Sequence, residues 1–569
     1  MPKSTLLLVL AAAGTVVAAP SAATAQTVLV RVSGGEPAMP LQGALVYLVD
    51  VRGPTVQNRL SDQMGRALFV GVPPGRYRVR AEMIGMATAE TSAFEAAEGL
   101  SVPLDLVLES SAIVLEGIDV AADERCRVRP EEGLLVARVW DEARKALMAA
   151  AFTDEQELYR YETMRYERDL EFETRTVVRD ERSRRGGYMR TPFESRPAED
   201  LAENGFVQET GDGTFYFAPD AHVLLSDVFL DTHCFRLVAG EGEAAGLVGL
   251  AFEPTGGRAR VSDIRGSLWM DPETSELKWL EFVYENIDPE IRSSEIGGYV
   301  EFQRMPAGTW IVPEWWIRMP RLALRRDFQG TRRAVLAGFR EVGGLVVDVR
   351  SGGRTIAGKE TGGVEGLLLD SLGVNPVPMA RVAIVGSSQQ MFTGPDGHFT
   401  IPNLTEGTYQ VRFTHPSLEA FGYTPEPVDQ VVFGGEMAQM QYRLPSVGDA
   451  LFELCRGEER PELSVVVAGA VRDQRTGRAI PDAVVRVAWQ TVRMADVYTS
   501  DARITGLDDH GLEQTTDAEG RYRFCAIPEY ETISLVATAE GYEMEPDSVW
   551  LDRFTGGLPH DLLLTAVQR

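Results

Sequence analysis

Apolar and polar residues alternate with period two along most of this chain, and Gly, Pro and Asp interrupt the alternation at intervals. Between residues 27 and about 109 the apolar positions are Val28, Val30 and Val32, then Val46 and Leu48, then Tyr77, Val79 and Ala81, then Val102, Leu104, Leu106 and Leu108. Runs of this kind separated by turn residues predict an antiparallel sandwich. Pro73-Pro74-Gly75 enforces one of the turns, because proline fixes φ and glycine permits positive φ. Leu115 to Val120 reads as a last short strand leading out of this unit.

The same order of elements occurs three times. An apolar strand leads to a Pro/Gly-Ala-Val corner, a polar Asp/Gly turn follows, and an aromatic strand closes the unit. The first copy reads Leu41-Gln42-Gly43-Ala44-Leu45-Val46, then Ser61-Asp62-Gln63-Met64-Gly65-Arg66, then Gly75-Arg76-Tyr77. The second reads Val377-Pro378-Met379-Ala380-Arg381-Val382, then Thr393-Gly394-Pro395-Asp396-Gly397-His398, then Gly407-Thr408-Tyr409. The third reads Ile480-Pro481-Asp482-Ala483-Val484-Val485, then Thr516-Asp517-Ala518-Glu519-Gly520-Arg521, with Cys525-Ala526-Ile527-Pro528 in place of the last Gly turn.

Between the first and second copies the period changes once. Leu135, Val139, Trp140, Ala143, Leu147 and Ala150 fall on one helical stripe, with Arg138, Asp141, Glu142, Arg144 and Lys145 opposite, which predicts an amphipathic helix over 134–151. Residues 155 to about 350 then read as long hairpins. One crosses Asp271-Pro272-Glu273-Thr274, and a second joins 298–302 to a strand over 310–319. A curved meander with the helix against its concave face is expected. Five of the eight tryptophans lie there: Trp269, Trp279, Trp310, Trp315 and Trp316. The charged segment 445–463 reads as a short tether, and 491–514 as a surface loop inserted in the third copy.

The expected fold is therefore mainly β: three Ig/transthyretin-like β-sandwich domains flanking a central curved antiparallel β-sheet domain with one amphipathic helix. The boundaries are 1–25 for a signal peptide, 26–121, 122–350, 360–446 and 455–569. The signal reading rests on Lys3, an apolar core from Leu6 to Ala19, and Ala23-Thr24-Ala25 as a small-x-small cleavage site. No later apolar run is long enough for a transmembrane helix. An exported chain, in the periplasm, at the outer membrane or outside the cell, is expected.

Composition changes this picture in two ways. A net charge of −28 argues against nucleic acid and against general attachment to anionic lipid. The arginines at 182, 184, 185 and 190, and those from Arg318 to Arg333, read as solvated strand faces or loops. Export also permits disulfides. Of the three pairings open to Cys126, Cys234, Cys455 and Cys525, the neighbour pairing keeps each bridge local and is favoured.

The repeats resemble carboxypeptidase regulatory-like domains, transthyretin-like sandwiches grouped with carbohydrate-binding-like folds. The resemblance is carried by Val471-Arg472-Asp473, Thr476-Gly477 and Ile480-Pro481-Asp482-Ala483-Val484, by Gly366 to Asp370 with Pro378-Met379-Ala380, and by the turns above. The first copy departs most, having no Thr-Gly turn upstream. With Leu115 to Val120 it is also similar to the N-terminal extension of TonB-dependent receptors, but no barrel-forming strand series follows. The central hairpins resemble in shape the half-open barrels of periplasmic lipoprotein carriers.

No catalytic constellation is evident. The six histidines form no HExxH, His415 to Glu419 lacks the zinc-peptidase spacing, and Gly-x-Ser-x-Gly and P-loop patterns are absent. His233 beside Cys234 reads as structural. The acidic run Asp501 to Asp509 reads as solvated rather than as a calcium site. No cofactor or metal is expected, and no enzyme. The expected role is an exported binding or scaffold protein of the bacterial cell envelope, with a polysaccharide or an envelope protein as partner. Candidate ligand-binding residues are Trp269, Trp279, Trp315 and Trp316, with Trp489 and Trp550 as further stacking platforms. One alternative is a periplasmic carrier or transport accessory holding an apolar ligand among Trp269, Trp279, Tyr284 and Phe302. Another is an unrecognised hydrolase.

Overall fold

Three corners, one per repeat, use the same atoms. The residue before the corner alanine takes positive φ: Gly43 (82°), Met379 (57°) and Asp482 (56°). The amide of that alanine then donates to a hydroxyl from the distant turn, Ala44 to Ser61 Oγ (2.9 Å), Ala380 to Thr393 Oγ1 (3.0 Å) and Ala483 to Thr516 Oγ1 (2.9 Å). Each hydroxyl donates onward to a carbonyl just upstream of the corner, of Leu41, Val377 or Ile480. Gly65, Gly397 and Gly520 close the turns at φ of 67°, 75° and 74°. A Cβ there would meet the carbonyl oxygen of Val32, Leu368 or Val471 at 2.3, 2.6 or 2.9 Å, so glycine is required twice over.

Because the hydroxyls are buried and serve one donor and one acceptor each, their loss strands both. Thr516→Val is expected to cost the third sandwich about 1–3 kcal/mol, with Thr516→Ser costing less. Faster hydrogen exchange at the Ala483 amide is the readout.

The computed structural model describes residues 26–111, 130–187, 194–211, 213–289, 291–326, 332–459, 461, 463–495, 503–552 and 557–567. The expected signal segment, the Leu115 to Val120 strand and Cys126 lie outside the described residues. The fold is mainly β, as expected, and the chain divides into two compact units.

The first unit comprises the chain up to residue 158 with 189–286 and 299–312. Its sandwich places Thr27–Gly34 between Arg66–Val70 and the parallel strand Ser101–Leu108, and packs them on a sheet of Leu45–Asp50, Thr55–Leu60 and Gly75–Glu82. Val30, Val46, Phe69 and Val79 lie in the core between the sheets. A meander follows: His233–Ala239, Val248–Pro254, Asp263–Met270 and Leu277–Glu285 pair in sequence order. The helix runs Pro130–Glu155. Its apolar stripe is buried at Val139, Ala143, Leu147 and Ala150, and Trp140 packs on Phe235 of the meander at 5.5 Å.

The charged side of this helix is partly covered: Glu142 and Lys145 are buried. Glu142 accepts from the Gly85 amide at 2.7 Å, Lys145 donates to Glu142 and to the Met86 carbonyl, and Arg144 reaches Glu82 at 3.0 Å. The first sandwich covers that face, so the charges are paired with one another and with its backbone.

The second unit comprises 159–188, 287–298 and 313–569. Here the strand expected over 310–319 is broken at Pro313, and the long element is Glu314–Arg326. It pairs with Arg332–Ser351, which pairs with Arg160–Glu171, which pairs with Val177–Gly187. The last of these continues into the second sandwich through Val177 beside Tyr409 on Gly407–Thr414. The second sandwich's other sheet has Gly362–Leu369 between His398–Leu404 and Met437–Arg443.

Two segments differ from expectation. Instead of a tether, 445–463 contains the helix Val447–Leu454, whose Ser446 and Asp449 make a reciprocal capping box. Leu451 and Cys455 pack there on Val466 and Ala468. Instead of a loop, the insertion is a two-stranded arm: Val484–Ala495 pairs with Arg503–Thr515 along its length. Alternating β-branched positions and the Arg486–Glu513 and Arg493–Asp508 ion pairs hold its strands together.

Candidate functional site

The tryptophans do not form one platform. Trp269 and Trp279 are cross-strand partners, while Tyr284, five residues beyond Trp279 on a regular strand, points to the opposite face. Tyr284 is fully buried and donates to the Phe217 carbonyl (3.1 Å). Phe302 is also buried, and Trp269 donates to Glu281 at 2.8 Å. These four therefore do not line a common pocket, and the carrier reading loses its proposed lining.

Trp315 and Trp316 face opposite sides, as adjacent strand residues must. Trp315 is buried, its indole lying across Gly344 where a Cβ would come within 2.8 Å of Nε1. Trp316 sits under the Arg318 guanidinium at 4.8 Å. Trp489 stacks on His510 at 5.6 Å. Trp550, on the edge strand Asp547–Trp550, is 59% exposed.

Cys455 and Cys525 form a disulfide with Cα atoms 5.7 Å apart. Cys234 is disulfide-bonded as well, and Cys126 lies outside the described residues. His233, next to Cys234, is held between Phe229, stacked at 3.9 Å, and the fully buried Asp263, whose Oδ1 lies 3.2 Å from Nε2. Burial opposes the charge on Asp263, but His233 and Arg258 prevail and keep it below the usual carboxylate range.

One charged constellation escaped the sequence reading. Arg168, Glu341 and Arg318 are direct neighbours across three adjacent strands. Glu341 is fully buried. Its Oε1 accepts from Arg168 Nε at 2.8 Å, its Oε2 from Arg318 at 2.8 and 3.0 Å, and Tyr166 adds a hydroxyl at 3.3 Å. Burial works to raise this carboxyl, and the two guanidiniums overcome it to hold it below its ordinary value. Arg168 continues to Thr405 Oγ1 (3.1 Å) and the Glu406 carbonyl (2.6 Å) of the second sandwich. Beside it Arg182 bonds Asp180, the Asn403 carbonyl and the Tyr409 hydroxyl. Arg182 and Arg318 thus sit in paired seams rather than on solvated faces. This network joins strands and leaves no free reactive group.

The accessible polar constellation lies on the outer face of the second sandwich. Thr400, Glu365 and Gln439 form one cross-strand row, and His398, Leu367 and Gln441 the next. Residues two apart on a strand share a face, so the six make a two-by-three grid. An open groove of about 480 Å³ runs over it. Gln439 Nε2 donates to Glu365 Oε1 at 2.5 Å, which orients the central carboxylate. Carboxylate, two amides, hydroxyl and imidazole together offer donors and acceptors around one apolar residue, a set suited to a polyhydroxylated ligand. Among the described residues no group of three or more His, Cys, Asp and Glu is placed to hold a metal.

Residues 15–109 and 363–431 match the model of the carboxypeptidase regulatory-like domain. Both segments carry that domain. The third repeat shares the regulatory-like corner atom for atom, with Asp482, Ala483, Thr516 and Gly520 in the same roles. No curated protein matches the chain. Among solved structures, shaft pilin SpaA from Lactobacillus rhamnosus GG is 13% identical over 37% of this chain and 99% of its own, at a TM-score of 0.14. The streptococcal ancillary pilin is 13% identical over 48% and 81%, at 0.16. The 5-hydroxyisourate hydrolase of Klebsiella pneumoniae is 19% identical over 15% and 87%, at 0.13. At such TM-scores these likenesses carry no functional argument.

Proposed function

We propose that this protein is an exported, non-catalytic scaffold of the bacterial cell envelope whose second regulatory-like domain binds polysaccharide on its outer sheet. The observation that carries the reading is the grid of Thr400, Glu365 and Gln439 beside His398, Leu367 and Gln441 under an open groove. Sheet-mounted amides and a pre-oriented carboxylate bind hydroxyls with little loss of side-chain freedom, which favours a rigid sugar face. The disulfide between Cys455 and Cys525 accords with an oxidising compartment. The buried seams through Arg168 and Arg182 accord with a rigid support for the second domain.

A glycan array probed with the whole chain is expected to retain it on at least one polysaccharide. The double variant Gln439→Ala/Gln441→Ala is expected to weaken that binding about tenfold or more, since two lost hydrogen bonds are worth roughly 1.4 kcal/mol or above. Absence of retention on every glycan sinks the reading. Binding abolished by Trp550→Ala but untouched by the double variant would move the site to the third sandwich.

A further inference from the structure

The hairpin joining Glu314–Arg326 to Arg332–Ser351 outruns the sheet that supports it. Arg160–Glu171 pairs with the second strand only from Gly338 onward. The five rows from Leu322 opposite Leu336 to Arg326 opposite Arg332 are therefore a two-stranded ribbon. In this ribbon Arg325 lies directly opposite Arg333, and Arg326 directly opposite Arg332. Like charges in that position repel. Arg325, Arg326 and Arg332 have no acidic partner among the described residues.

Arginine pairs and exposed leucines share the ribbon. Leu322 is 46% and Leu324 71% exposed, on the face that also carries Arg326 and Arg332. Arg325 and Arg333 occupy the other face with Ala323 and Val335. We propose that this ribbon docks on a membrane surface bearing phosphate headgroups. Guanidinium pairs grip phosphate oxygens in a bidentate way, and phosphate between them removes the cross-strand repulsion. The leucines beside them would enter the headgroup–acyl boundary while the arginine stems snorkel. Basic and apolar residues on both faces suit a medium that surrounds the ribbon better than a protein groove that contacts one face.

The net charge of −28 does not forbid this. Five rows at about 3.3 Å each carry the arginines about 16 Å past the supporting sheet. That is about two screening lengths at physiological salt, so the ribbon's local charge governs its encounter with a surface.

The test is co-flotation of the whole chain with vesicles of phosphatidylglycerol and phosphatidylcholine in equal parts, against vesicles of phosphatidylcholine alone. Binding to the anionic vesicles is expected, weakening with added salt. Changing Arg325, Arg326, Arg332 and Arg333 together to Ala is expected to lower it about tenfold or more, with an unchanged thermal melt. Leu322→Ser/Leu324→Ser is expected to lower it at constant charge. Equal binding to neutral vesicles, no binding to either, or full binding by the arginine variant overturns the proposal. Displacement by inorganic phosphate at matched ionic strength would do so too, by revealing a discrete anion site. Glycan binding is measured separately on the same variants, so the two proposals fail independently.

Discussion

Glu341→Gln is expected to destabilise the second unit by about 3–5 kcal/mol, because it leaves two largely buried guanidiniums facing a neutral amide. Glu341 is fully buried and receives hydrogen bonds from Arg168, Arg318 and Tyr166. Arg168 keeps its contacts to Thr405 and Glu406 but loses the charge that offsets its own desolvation. The chain divides into two compact units, and for a multi-domain chain a single melting midpoint is not a well-defined stability. Hydrogen exchange of amides in Arg332–Ser351 reads the effect locally. A companion variant separates pairing from packing: Arg168→Met/Arg318→Met/Glu341→Leu removes all three charges at similar volume. It is expected to recover most of the loss, since well-packed apolar residues commonly equal or exceed a buried ion triad. If Glu341→Gln costs under 1 kcal/mol, the triad is solvated and the seam is not what holds these strands.

The parts of this fold legible in the sequence are those whose atoms lie close along the chain. Each corner is specified within about forty residues by an alanine, a hydroxyl and a glycine in fixed order. The helix Pro130–Glu155 announces itself by a 3.6-residue stripe at Val139, Ala143 and Leu147. The helix Val447–Leu454 was also legible, since Ser446 and Asp449 have capping-box spacing before an apolar pair, but charge and proline nearby favoured a tether. Composition misled in the same way over the arm, where Asp, Thr and Gly obscured the strand pattern: Val492 and Met494 alternate, but their partners Leu507 and Ile504 are three apart across a bulge.

Register is what local pattern leaves out. Period two places Arg168 on one face with Met164, Tyr166 and Leu170, and Glu341 on one face with Phe339 and Leu345, all buried apolar residues, and says nothing of which charges lie opposite. Their strands are separated by well over a hundred residues for one pair, and a slip of one row would scatter the triad. The grid on the second sandwich has the same origin: Thr400, Glu365 and Gln439 meet because three strands share one register. Aromatic residues drew the sequence reading to Trp269 and Trp279, whereas amides on an open sheet have no signature in composition.

Asp154→Asn is expected to stabilise the first unit, by an amount that grows with pH. Asp154 lies in the last turn of the helix Pro130–Glu155, and burial, then the carboxylate of Asp220, then that of Glu155 push its carboxyl up to about 8. The helix C-terminus carries negative partial charge and opposes ionisation further. Below about pH 4 the group is protonated whether folded or not, so it contributes no pH dependence. Between about pH 4 and 8 the unfolded chain releases the proton while the folded chain keeps it, and stability falls as pH rises. Above about pH 8 the penalty is at its full size, on the order of 6 kcal/mol. Asparagine is neutral throughout, so the gain from Asp154→Asn is expected near zero at pH 4 and largest above pH 8. Hydrogen exchange in the helix across that range measures it. A gain independent of pH would mean that Asp154 is already ionised and hydrated at neutrality, and that the end of this helix lies open to solvent.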